Sequence, residues 1–119
     1  MADLLGTGAA WLHAQLAANA SRTVTYRRGA QEVEVQATIG QTIFRIDDGG
    51  ALVRVVTRDF IIDSAALIDF DDPRRGDEIT EIVNGTPRVY RLVNPGGEPH
   101  WRWSGPDSTR LRIHTSLRP

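Results

Sequence analysis

Four clusters of turn residues punctuate the chain and constrain its fold more than any other feature: Arg28-Gly29-Ala30, Asp47-Asp48-Gly49-Gly50, Asn84-Gly85 and the stretch from Asn94 through Gly96 and Gly97 to Pro99. Gly, Asn and Asp accept positive φ at little cost, so the first three read as tight turns between antiparallel strands. The fourth is a long turn that cannot be regular structure. Between the turns, apolar residues alternate with polar ones at a period of two, the mark of half-buried strands. The expected strands cover residues 23–26, 33–39, 43–46, 52–62, 79–83, 88–93 and 110–116. In the last of them Leu111, Ile113 and Thr115 alternate with Arg110, Arg112 and His114 onto a polar face. Residues 63–68 read as one helical turn with Asp63 capping it.

Only the N-terminal segment has a helical period. Leu5, Ala9, Leu12 and Leu16 make one apolar stripe, which predicts a helix over about residues 3–18. A helix of that length is marginal alone and needs a docking surface; Trp11, off the stripe, is the candidate for a second contact. The 119 residues are one domain. The expected fold is mainly β: a small antiparallel β-barrel or sandwich of about six or seven strands over 21–119, with one N-terminal α-helix in 1–20.

Composition narrows the chemistry. There is no cysteine, which removes disulfides, zinc–thiolate sites and thiol nucleophiles together. No apolar run approaches a membrane span. The start, Met1-Ala2-Asp3-Leu4-Leu5, lacks the basic and long apolar regions of a signal peptide, so a cytoplasmic chain is expected. His13, His100 and His114 stand in no catalytic spacing, and no Gly-x-Ser-x-Gly elbow or phosphate-binding glycine loop is present. No catalytic residue, cofactor or enzyme activity is expected. Acidic turns account for Asp69-Phe70-Asp71-Asp72 and Asp47-Asp48, which lack the alternating acids and closing glutamate of a calcium loop; no metal is expected. Arg75-Gly76-Asp77 reads as a turn entering a strand.

All 14 basic residues are arginine, whose planar fork suits carboxylate pairing. Net charge is only −1, but residues 59–81 carry −6 and residues 100–119 carry +3. That asymmetry fits a solvated surface, or subunits stacked acidic face on basic face. Asp71 and Asp72 are the acidic interface candidates, and Arg102, Arg110 and Arg112 the basic ones. On this model, reversing Arg110 and Arg112 together abolishes assembly and leaves the monomer folded. Trp101 and Trp103, on one face of an extended segment with Arg102 on the other, permit three readings: a core seal, an interface anchor, or a base-stacking platform.

Six ordered pieces carry a family resemblance. They are Tyr26-Arg27-Arg28-Gly29, Arg58-Asp59-Phe60-Ile61-Ile62, Pro73-x-x-Gly76-Asp77-x-Ile79, Val89-Tyr90-x-Leu92, Gly96-Gly97-Glu98-Pro99-x-Trp101-Arg102-Trp103-Ser104 and Leu111-Arg112-Ile113-His114-Thr115. The set resembles the head–tail joining, or head-completion, proteins of tailed bacteriophages, stopper-like connectors of the virion neck. The resemblance implies a small β-barrel, assembled in the host cytoplasm, that forms a ring below the portal. Such a ring retains packaged DNA, touching it transiently, and offers a docking surface to the tail. Its implied partners are further copies of itself, a portal or adaptor protein above and a tail protein below. Loops Gly40 to Gln41 and Asp47 to Gly50, with Gln41, Asp47 and Asp48 as the candidates, would face the channel, where acids repel DNA phosphates. A tail terminator and a nucleic-acid-binding barrel are the alternatives.

Overall fold

In a computed structural model, the described residues are 21–118, without the side chain of Asp48. The expected helix, with Trp11 and His13, lies outside them. Seven strands follow in chain order: β1 (Ser21–Arg28), β2 (Gln31–Asp48), β3 (Ala51–Asp63), β4 (Glu78–Val83), β5 (Thr86–Leu92), β6 (Trp101–Trp103) and β7 (Arg110–Leu117). Neighbours run β3-β2-β1-β4-β5-β7, and β7 pairs back onto β3. Six antiparallel strands therefore close a barrel, and β6 is an extra strand on β7. Of the two architectures expected, the barrel is the one formed. Closure removes the free edges that a six-stranded open sheet would have to protect.

The turn chemistry behaves as the residues require. Asn84 and Gly85 take φ of 51° and 78° in the β4–β5 hairpin, the left-handed pair that a two-residue hairpin turn demands. Gly49 and Gly50 do the same between β2 and β3. Inside the barrel, Val24, Tyr26, Val35, Ala37, Phe60, Ile62, Ile79, Leu111 and Ile113 are almost wholly buried. Each such aliphatic or aromatic side chain contributes about 1.5–3 kcal/mol through burial. The interior is filled by side chains and is not a pore.

Two expectations about local structure change. The strands expected at 33–39 and 43–46 are one 18-residue strand. Gly40 and Gln41, expected as a loop, pair with Asp59 and Arg58 in its middle. Gly40 is where the strand passes under Arg112: a Cβ there would meet the guanidinium at 3.4 Å. The helical turn after β3 is a 3-10 helix, Ser64–Phe70, whose Leu67 and Phe70 plug one barrel end. Asp63 occupies its cap position but makes no side-chain cap bond. The Asp63 carboxylate instead faces Arg110 at 3.5 Å.

β2 and β3 continue well beyond the barrel. Pairing runs without a break from Ala37↔Ile62 to Asp48↔Ala51, whereas β7 covers β3 only from Arg58 to Asp63. The seven residue pairs from Thr42↔Thr57 outward form a projecting hairpin of about 20 Å at the usual strand rise.

Candidate functional site

The hairpin is the feature that most needs explaining, and it stands on buried charge. At its base Asp59, fully buried, accepts hydrogen bonds from Arg112 Nη1 (2.8 Å), Thr57 Oγ1 (2.7 Å) and Thr42 Oγ1. His114 Nδ1 lies 2.9 Å from the same carboxylate. Burial by itself would raise the Asp59 pKa, but these bonds together outweigh it and hold the group at about 2. The alternation that puts Arg112 and His114 on a polar face is correct. That face is nevertheless covered, with His114 only 2% exposed and Phe44 edge-on to its ring at 5.2 Å. The turn at Pro95–Gly97 packs beside it, with Gly96 close to Ile46.

Two further carboxylates close the barrel ends. Glu81, 1% exposed, receives Arg58 at 2.8 and 2.9 Å and Arg22 at 2.8 Å. The Arg58 guanidinium also lies over the rings of Phe60 and Tyr90, which completes the seal. At the other end Asp77 receives the Arg28 fork through two 2.8 Å bonds, the Arg74 backbone N–H at 2.9 Å and the Tyr26 hydroxyl. Burial pushes Asp77 up, yet Arg28 and its other donors prevail and its pKa is lowered. The Tyr26 phenol is pushed up by burial and by Asp77 beside it. The Arg75-Gly76-Asp77 tripeptide is thus a turn whose carboxylate is internal.

These pairs redistribute the charge that the sequence displays. Asp59, Asp77, Glu78 and Glu81 all lie in the acid-rich stretch 59–81, and all are answered by arginines of the same chain. Arg112, a basic interface candidate, is committed to Asp59, and Arg110 faces Asp63. Reversing both is therefore no clean probe of assembly, because Arg112 holds the monomer together. Asp71 and Asp72 are exposed beside the 3-10 helix, with Asp71 loosely paired to Arg74 at 3.8 Å. Arg102 is exposed on β6 and makes no ion pair among the described residues. The β6–β7 pairing sets Arg102 directly opposite Arg112, with Arg110 two residues along the same face of β7, while Asp71 and Asp72 follow the 3-10 helix. Sequence reasoning missed the Asp59 and Glu81 clusters. The available signal was Thr57-Arg58-Asp59, where acid and base sit adjacent within an otherwise apolar strand.

Trp101 packs on the core, and Trp103, 43% exposed, meets it edge-on at 5.1 Å. The core-seal reading describes Trp101. Of the channel candidates, Gln41 lies within β2 and Asp47 at the hairpin tip, its Oδ1 accepting the Gly50 N–H at 3.1 Å. Asp48 ends β2 opposite Ala51. Among the described residues no group of His, Asp and Glu could hold a metal, and no helix is long and apolar enough to cross a membrane.

On the side of the hairpin away from His114, Ile43, Arg45, Leu52, Arg54 and Val56 are all exposed. A small, filled barrel with a long apolar and basic projection is suited to meeting other proteins. No curated protein matches the chain. A family model described as phage head-tail joining protein matches residues 2–119, nearly the whole sequence, and the chain belongs to that structural family.

Proposed function

We propose that the protein forms a ring in the virion neck, below the portal, where it retains packaged DNA and gives the tail its docking surface. The observation that carries this reading is the family match over residues 2–119. A head–tail joining protein is a structural component of the virion and meets other head and tail proteins. The geometry supports the finer reading in one respect. The barrel interior is filled by Phe60, Ile62, Ile113 and their neighbours, so DNA cannot thread a subunit. Any conduit must run between copies arranged around an axis, joined by one heterologous contact repeated to closure. The hairpin tip, with Asp47 and Asp48, projects beyond the barrel, and in this arrangement its acids discourage DNA from sticking.

The test uses DNA-filled, tailless heads from the same source mixed with the purified full chain. Electron microscopy of the portal vertex is expected to show a new ring of density, and nuclease protection to show retained DNA. Heads competent for other connector proteins but unchanged by this one would overturn the proposal and leave a tail-side terminator as the head–tail role to examine.

A further inference from the structure

The projecting hairpin has two faces, and only one of them is packed against other described residues. Thr42, Phe44 and Ile46, paired with Thr57, Val55 and Val53, look toward the Asp59–His114 cluster and the turn at Pro95–Gly97. The opposite face extends the inward side of the barrel wall past its mouth. It carries Ile43↔Val56, Arg45↔Arg54 and Asp47↔Leu52 as directly paired residues. Ile43, Val56 and Leu52 are 44%, 47% and 72% exposed. Arg45 and Arg54 oppose each other across the strands, and neither has an ion-pair partner among the described residues. Like charges directly opposite destabilise a hairpin, so this pair works against the isolated chain. Two arginines set between apolar residues, Ile43 and Val56 on one side and Leu52 on the other, have the composition of an interface core awaiting an acidic, partly apolar counterpart.

One such counterpart lies on the same molecule. Ile68, on the 3-10 helix Ser64–Phe70, is 73% exposed, and Asp69, Asp71 and Asp72 flank it in the open. The Asp69 and Asp72 carboxylates have no arginine partner among the described residues, although the Asp72 backbone carbonyl accepts from Arg28, and the Asp71 carboxylate has only the loose contact with Arg74. No other exposed large apolar side chain among the described residues has three exposed acids within four positions. The two surfaces cannot meet within one chain. β3 lies between them, starting at the hairpin tip and ending where the 3-10 helix begins. Its 13 residues span about 40 Å when extended.

We infer that the Ile43–Arg45–Arg54–Val56 face of one copy docks on the Ile68–Asp69–Asp72 turn of the next. Arg45 and Arg54 there find carboxylates that the described residues of their own copy do not supply, while Val56, Ile43 and Leu52 cover Ile68. Because donor and acceptor surfaces differ and lie at opposite ends of β3, the contact is head-to-tail and repeats from copy to copy. The inference rests on the proposed ring and assigns its subunit contact. It also replaces the β7 arginines, which are occupied internally, with those of the hairpin.

The absence of native cysteine makes a direct test available. The full chain carrying both Val56→Cys and Ile68→Cys is oxidised at high concentration in solution and on DNA-filled heads. Denaturing gels without reductant are expected to show a ladder of trimers and larger species. Each single-cysteine variant is expected to stop at dimers. Charge exchange adds an independent reading: R45E/R54E and D69R/D72R each lose the ladder, and the combined variant regains it. A ring on heads without a ladder in either setting overturns this contact and leaves the ring reading intact. A ladder in solution without any ring on heads supports the contact and counts against the neck position. Loss of the ladder that the combined charge exchange fails to restore, or protection of the hairpin by DNA or by residues 1–20, also overturns it.

Discussion

Residue-scale electrostatics decide this protein's stability in acid. Asp59 would titrate at 3.8 in the unfolded chain and does so at about 2 in the fold. A carboxylate lowered by folding stabilises the native state fully above its unfolded value, and that contribution disappears as pH falls through the folded one. The contribution is about 2 kcal/mol, lost between about pH 4 and 2, and Asp77 is shifted in the same direction. Urea midpoints measured from pH 6 down to pH 2 are expected to fall most steeply in that window, and D59N to flatten the fall. Arginine identity matters at the same scale. Arg112→Glu sets a second carboxylate against buried Asp59 and is expected to cost about 3–5 kcal/mol, much of an ordinary domain's stability. Arg110→Glu disturbs a pair in which Asp63 is 69% exposed, and is expected to cost under about 1 kcal/mol. Equal losses in the two variants would show that Arg112 is not structural.

At the scale of elements, β2 and β3 each have two jobs. Their barrel halves bury Val35, Ala37, Phe60 and Ile62, and their outer halves carry the exposed hairpin. Stability and assembly should therefore separate along one pair of strands. Ile62→Ala is expected to cost about 2–5 kcal/mol by leaving a core cavity. The double change Ile43→Thr and Val56→Thr keeps β-branched side chains on an exposed face, and is expected to move stability by under about 0.5 kcal/mol while weakening assembly on heads. Chemical denaturation of the two variants checks the first half, and head-binding the second. A large loss of stability in the hairpin variant would mean that its face is already covered within the chain.

The whole molecule explains why buried charge is tolerated here. Closing six strands leaves two open ends, and each end is stoppered by a carboxylate gripped by arginine: Glu81 with Arg58 and Arg22, Asp77 with Arg28. Such pairs are only modestly favourable, but removing one partner is costly, so they fix which residues terminate the barrel. A filled, stoppered barrel has no passage of its own. If copies ring DNA as proposed, the DNA must pass between subunits and not through one.

Much of this was legible in the residues. Alternation at 33–39, 52–62 and 110–116 and the turns at Asp47-Asp48-Gly49-Gly50 and Asn84-Gly85 determined the strands and hairpins, because pleat and positive φ are local properties. The ordered motifs from Tyr26 to Thr115 carried the family. Barrel closure was not legible, since β3 meets β7 across some 50 positions of sequence and no local signal names that partner. Nor was the fate of the charges: Asp59 and Asp72 look alike in the sequence, yet one is buried against Arg112 and the other stands in solvent. Pairing geometry, unlike period or turn preference, exists only once distant strands are side by side, and it is what separated the structural arginines from those left over for assembly.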